Sequence, residues 1–498
     1  MRHTNRLTER EANTSTVATS APISPDRELL FFVVSLLILL WPLALNRAPF
    51  YASDSASYLR GGDLGFHTGL RILARTGRPP PSAGLSNDPR KIVAGAISKS
   101  GGARSAIYSI AVYFLRGPDS SLLALVIMQS AGVAFVLLML RRVISPASGI
   151  WPAISAAAMI GLATSAGWYA AYAMPDILAG VLISSALVLT VFFERIGAGM
   201  RLLLVVLIAF SIAAHGSHLP IAVVTLIAGA VAGSRLGAGS EPVIRRTAWF
   251  ASPVLIALAA MLGTSYAAFG EFSLAPKRYP IQLARSVADG PGAWYLHNHC
   301  ATEHYAICEV FGPNPPTTVH EFLWGENGVR KRATPEQMDR VRAEEATIVR
   351  RATLAYPAAQ IRRSATNAFL QLFEFGPREL TFGGRMVGSG EDVSIEQTGP
   401  ERPVLKAIGK GLIYLSFLAS ILLLVIIRRR LAPSEIAALL VVVVGLVSNA
   451  AVCGILSGVA DRYQGRVAWV LPAVTVMIFL RVRAGQGSNA TTTKVALA

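Results

Sequence analysis

Long apolar runs recur along this chain at close to the length that crosses a bilayer, and they constrain its fold more than any other feature. About 20 apolar residues in one helix satisfy every backbone N–H and C=O internally, which hydrocarbon demands. Ten such segments are legible, at roughly 29–45, 121–140, 150–167, 176–193, 202–214, 219–233, 247–266, 406–427, 436–457 and 467–482. Only 15% of the 498 residues are charged and the mean hydropathy is +0.49, whereas a soluble domain carries about 25% charge. The expected fold is an all-α polytopic membrane protein of about ten transmembrane helices.

The basic residues orient these spans. Arg141-Arg142, Arg195, Arg201, Arg235, Arg245-Arg246, Arg428-Arg429-Arg430, Arg481 and Arg483 all fall on one side, while the short turns 168–175 and 215–218 carry no Lys or Arg. Cytoplasmic loops hold the Lys/Arg excess, so both termini are expected in the cytoplasm of a cell whose inner membrane holds the chain. The net charge of +17 is then topology signal and headgroup attraction; its scatter along span ends excludes nucleic-acid binding. Residues 1–28 and 484–498 read as irregular polar tails. The apolar stretch 202–233 would be about 48 Å long as one helix, too long for a core of about 30 Å. A hairpin with its tip at His215–Pro220 is expected instead.

Two regions face outward. The first, 46–120, interrupts the N-terminal transmembrane core (29–266) and carries ten basic residues against four acids, a net +6. That bias calls for lipid headgroups or a phosphate-bearing substrate. Within it, 104–115 is too short to span and reads as an interfacial or re-entrant helix. The second, 267–405, is an external mixed domain ahead of the C-terminal helices (406–483). Its helix at 336–353 has a stripe of Met338, Val341, Ile348 and Ala352. A helix at 358–375 has a stripe of Ile361, Ala365, Ala368, Phe369 and Leu372. Packing within the external domain is the expected role of that second stripe, and lying on the membrane the alternative. The Gly- and Glu-rich 383–402 reads as a linker or mobile loop.

Several polar residues converge on the outer surface. Asp54, just past the first span, shares a helical face with Tyr58. A carboxylate near apolar walls can act as a base or hold a cation; its structural alternative is a helix N-cap. Asp176 follows Pro175 at the start of the fourth span, which suits both a helix N-terminus and a second site carboxylate. His215 and His218 at the hairpin tip, three apart, suit one helical face and a metal or phosphate. Arg462 and Arg466, four apart, could clamp a phosphate or anchor the interface. Cys300 and Cys308 lie in a His-rich tract; in an oxidising compartment a disulfide is the favoured reading, and zinc the alternative. Walker loops, dinucleotide fingerprints, HExxH and Gly-x-Ser-x-Gly are absent, so any chemistry needs a substrate that arrives activated.

With an acid in the first outer loop (Asp54), short helices following it within 59–116, Pro175-Asp176 opening span four, and a late external domain, the chain resembles the GT-C membrane glycosyltransferases. These include protein mannosyltransferases and aminoarabinose transferases. The resemblance implies a polyprenyl-phosphate-linked sugar as donor and an envelope glycan, lipid or protein as acceptor. It implies Asp54 as base, with Asp176 as a second catalytic acid. Tyr58, Arg60, His215, His218, Arg462 and Arg466 would bind substrate or phosphate. A divalent cation could assist, though no cofactor is required. An envelope polysaccharide polymerase or ligase, and a non-enzymatic transporter or scaffold, are the competing expectations.

Overall fold

The computed structural model of the protein describes residues 24–74, 104–117, 120–236, 242–388 and 392–495. The tail before Ser24 and the basic stretch 75–103 lie outside the described residues. Helices α1 (Pro25–Leu39) and α2 (Trp41–Asn46) are followed by α3 (Ser53–Ala74) and α4 (Ala106–Phe114). Then come α5 (Leu123–Ile144), α6 (Ile150–Ala163), α7 (Ser165–Ala170), a 3-10 turn (Pro175–Ile177) leading into α8 (Leu178–Val191), α9 (Ala198–Ala214), α10 (His218–Leu236) and α11 (Val243–Phe269). Among the described residues seven helical segments are long and apolar enough to cross a membrane, and three shorter apolar ones accompany them (Ile150–Ala163, Pro175–Val191 and Ala198–Ala214). The chain is thus a multi-pass helical membrane protein. The 202–233 stretch is indeed two helices, α9 and α10, joined at His215–Ser217.

Helix α8 is the axis of the bundle: every one of its residues is buried, which is why it is apolar all round. Its neighbours approach through small residues. A Cβ on Gly229 would meet Thr190 Oγ1 at 2.1 Å, one on Gly445 would meet Ile183 at 2.7 Å, and one on Gly180 would meet Trp469 Nε1 at 2.5 Å. Small residues let membrane helices close to van der Waals contact. The N-terminus of this axis carries Asp176.

The region after α11 contains α12 (Ile281–Asp289), α13 (Pro291–Glu303), α14 (Ala306–Phe311), α15 (Val319–Leu323), α16 (Val329–Arg332), α17 (Pro335–Ala355) and α18 (Pro357–Phe373). It has its own apolar core, built on Leu283, Tyr295, Phe322, Val341 and Ile348. Met338, Val341, Ile348 and Ala352 of α17 are buried together, and so is Glu345. The Glu345 carboxylate accepts from Gln282 N at 2.8 Å and Leu283 N at 3.0 Å, satisfying two orphan donors at the start of α12. Cys300 and Cys308 are disulfide-bonded.

Three expectations need correction. The 383–402 segment is no linker: β1 (Gly384–Val387) pairs antiparallel with β2 (Ser394–Gln397). Met386 and Val393 are buried there, and backbone pressed against protein must find partners. The ladder provides them, and Gly383 N donates to Asn46 Oδ1 at 2.9 Å, tying the hairpin to α2. Residues 484–495 are helical, not irregular. The three C-terminal segments are α19 (Pro403–Ile427), α20 (Pro433–Leu456), and α21 (Asp461–Ala468) continued by α22 (Val470–Val495). Propagating an existing helix costs no new nucleation, so α22 runs on through polar sequence. Finally, the apolar stripe of α18 is not packed within the external core; Ile361, Phe369 and Phe373 are exposed.

Candidate functional site

Backbone pairing brings the segment after α2 to Asp176. Phe50 N donates to the Ala171 carbonyl and Ala173 N to the Phe50 carbonyl, both at 2.9 Å. Ser55 Oγ donates to the Ala173 carbonyl at 2.9 Å. The start of α3, with Asp54 and Tyr58, is therefore strapped onto the segment that opens α8. A polar relay continues this seam: Tyr108 Oη donates to Gln129 Oε1 at 2.6 Å, and Gln129 Nε2 donates to the Tyr172 carbonyl at 2.7 Å.

Asp176 is 2% exposed and faces two arginines one helical turn apart on α21. Its Oδ1 lies 3.7 Å from Arg462 Nε and 3.8 Å from Arg466 Nη1. Those separations are ionic contacts and too long for N–H···O hydrogen bonds. Arg462 Nε and Arg466 Nη1 are accordingly buried donors without hydrogen-bond partners among the described residues. The rest of Arg466 is fixed. Its Nη2 donates to Asn449 Oδ1 at 2.9 Å, Ser217 Oγ at 3.0 Å and Cys453 Sγ at 3.1 Å. Asn449 in turn donates to the Tyr463 carbonyl at 2.7 Å and Gln464 Oε1 at 2.8 Å. Two guanidinium groups are thus held toward one carboxylate with two N–H groups spare, an arrangement suited to an anionic oxygen.

The hairpin tip joins this cluster through Ser217, whose hydroxyl also lies 2.8 Å from His215 Nδ1. His215 and His218 are not on one helical face. A helix break separates them, His215 having extended backbone and His218 opening α10; they meet across the turn with ring centroids 5.2 Å apart. His218 Nδ1 must donate to the Ser211 carbonyl, 2.7 Å away, so a neutral ring presents Nε2 as an acceptor rather than a donor. The expected N–H from His218 to a phosphate is available only from the imidazolium.

Asp54 does not cap a helix with its side chain. The carboxylate is hydrogen-bonded and ion-paired to Arg104, both side chains being 27% exposed. Arg104 precedes Ser105, which caps α4 and donates to the Ala213 carbonyl at 2.5 Å beside the hairpin tip. Tyr58 is buried, with its ring edge-on to Tyr108 at 4.9 Å. Burial raises its phenol above the ordinary value; Arg104, Asp54, Asp176 and Arg462 are its charged neighbours. Asp54, Tyr58, Asp176, Arg462, Arg466 and the two histidines therefore share one neighbourhood. Arg60 does not join it. Its guanidinium donates to the Val393 carbonyl at 3.1 Å and Ser57 Oγ at 3.3 Å, and burial together with nearby Arg330 lowers its pKa.

Sequence reasoning missed two charged members, Arg104 as the partner of Asp54 and Glu379. The loop 374–380 lies over the start of α21. Tyr169 Oη donates to the Gly376 carbonyl at 2.8 Å, and Arg378 N to Asp461 Oδ2 at 3.0 Å. This holds Glu379 Oε2 3.6 Å from Arg462 Nε. Burial raises the Glu379 carboxyl above its ordinary value, with Arg462 opposing the shift. Neither pairing has a local signal. Asn449 had one: a lone amide inside an apolar run is expensive unless partnered. Among the described residues no group of three His, Cys, Asp or Glu side chains is arranged to hold a metal ion. Comparison with protein-family models, curated proteins and solved structures finds no match.

Proposed function

We propose that this chain is an integral-membrane glycosyltransferase of GT-C type, moving a sugar from a polyprenyl-phosphate carrier to an envelope acceptor at the outer face of an inner membrane. The observation that carries the reading is the pair Arg462 and Arg466, buried beside Asp176 with two N–H groups spare. In this reading the three shorter apolar helices also cross the membrane, giving ten spans with both termini cytoplasmic. The external domain then sits on the outer side.

The proposed reaction is the one that the GT-C resemblance implies. The acceptor hydroxyl gives its proton to a carboxylate as its oxygen bonds to the anomeric carbon. The bond from that carbon to the phosphate oxygen breaks with inversion, and the electron pair leaves with the polyprenyl phosphate. Arg462 and Arg466 stabilise the growing negative charge. Asp54 is the base, and Arg104 must turn from it toward the phosphate so that the carboxylate can meet the acceptor hydroxyl. Asp176 keeps the two arginines oriented while the site is empty.

The test is transfer from polyprenyl-phosphate sugars by purified protein in lipid vesicles. Asp54→Asn is expected to abolish transfer while leaving the protein folded and binding sugar-free polyprenyl phosphate. Arg466→Gln is expected to lose that binding. Full transfer by the Asp54→Asn protein removes the base role, and undiminished polyprenyl-phosphate binding by Arg466→Gln removes the phosphate site.

A further inference from the structure

Helix α18 is amphipathic in the opposite sense to a helix on a water-facing domain. Phe373 stands four residues after Phe369 and Ile361 eight before it, so at 3.6 residues per turn the three share one side of the helix over an arc of about 120°. Ile361, Phe369 and Phe373 are 68%, 63% and 53% exposed. Two of its polar residues, Gln371 and Asn367, point inward, while Arg362, Arg363 and Thr366 are exposed. Gln371 is fully buried, donating to the Ala460 carbonyl at 2.9 Å and accepting from Ala460 N at 2.8 Å. Asn367 donates to Asp289 Oδ1 at 3.0 Å.

The surroundings of that face are helices long and apolar enough to span a membrane. α18 packs along α20, where a Cβ on Gly454 would lie 2.6 Å from the Asn367 carbonyl oxygen. At its other end Tyr414 Oη of α19 donates to the Phe373 carbonyl at 2.5 Å. Both neighbours present their own outward apolar residues, Val443 and Val447 on α20 and Leu415 and Leu418 on α19. Arg362 and Arg363 sit exposed beside Ile361 with no carboxylate partner among the described residues.

We infer that the Ile361–Phe369–Phe373 face of α18 is seated in the bilayer, its side chains among acyl chains and Arg362 and Arg363 against lipid phosphates. Burial of an apolar face plus attraction of flanking arginines to anionic headgroups is how such helices hold to an interface. Gln371 grips Ala460, the residue before α21, so this seating also sets the height of Arg462 and Arg466 relative to the membrane. The inference stands on burial and packing alone and is independent of any sugar transfer.

The test is spin labelling in vesicles of phosphatidylethanolamine and phosphatidylglycerol. Labels go at Phe369→Cys and, separately, Ile361→Cys, in a Cys453→Ala background with the Cys300–Cys308 disulfide intact. Glu326→Cys, at a side chain 88% exposed on the external domain, is the water-facing control. At 369 and 361 the labels are expected to relax with oxygen in preference to a water-soluble nickel chelate, with the preference reversed at 326. Nickel access at 369 and 361 equal to that at 326 overturns the inference. Immobile labels shielded from both reagents also overturn it, because a protein partner or second copy then covers the face.

Discussion

Replacing Asp176 by Asn leaves two guanidinium groups facing each other inside the bundle. At an effective dielectric of about 20, a unit pair at the observed 3.7 Å attracts by about 4 kcal/mol, and desolvation of three charges offsets most of that in the intact cluster. Removing one partner keeps the desolvation and loses the attraction, which costs about 3–5 kcal/mol. Glu379 remains 3.6 Å from Arg462, so the lower end, about 3 kcal/mol, is expected. Asp54→Asn breaks a pair whose members are each 27% exposed, worth about 1 kcal/mol or less. Cys453 is the free cysteine of the chain, buried 3.1 Å from Arg466 Nη2, and it reports on this region directly. Its labelling by a thiol-reactive dye under native conditions follows the population of locally opened protein. The 2 kcal/mol gap predicts labelling about 30-fold faster in Asp176→Asn than in Asp54→Asn, at about 1.4 kcal/mol per tenfold. Equal rates, or faster labelling in Asp54→Asn, refute the buried-cluster reasoning.

Other consequences are more local. Gly465→Ala puts a methyl 2.5 Å from Tyr169 Oη, so the Tyr169–Gly376 bond and the Glu379 loop should shift at a cost of about 1–3 kcal/mol, read as a lower unfolding temperature and slower transfer. Glu379 has a raised carboxyl, so the folded state holds its proton where the unfolded state has released it. Its contribution is therefore fully present below the ordinary value of 4.5 and lost as pH rises through the folded value. Glu379→Gln should flatten that part of the stability–pH curve. Replacing Cys300 and Cys308 by Ser reopens a loop with a sequence separation of 8; chain entropy then predicts a loss of about 2.5 kcal/mol, measurable as earlier proteolysis of the external domain.

The helices were legible because lipid and protein interiors both demand apolar runs, and run length separates a span from a hairpin arm. The same equivalence hid the environment of α18. An apolar stripe at 361, 369 and 373 reads alike whether it meets a core or a bilayer. Only the inward placement of Gln371 and Asn367 distinguishes the two. The β-hairpin was missed because Gly and Glu dominate composition there, while its reason to form lies in contacts with Asn46 and Arg60 more than 300 residues away. The site was half legible. Each of Asp54, Asp176, Arg462 and Arg466 could be assigned to one membrane face by span counting, but their partners Arg104 and Glu379 come from loops with no periodic pattern.

That difference bears on which carboxylate does what. Sequence singled out Asp54 because an acid outside a first span is uncommon, and gave Asp176 the weaker part. The geometry inverts their burdens. Asp176 is the buried carboxylate contacted by two arginines, at the positive end of the fully buried helix α8, where an anion is favoured. A group so placed is engaged as the counter-ion of both guanidinium groups. Asp54, paired at a partly open surface, has one cationic partner among the described residues, Arg104, and can exchange it for another at small cost. In the proposed reaction the residue with the weaker grip therefore takes the proton chemistry, and the more firmly held one sets the electrostatics around it.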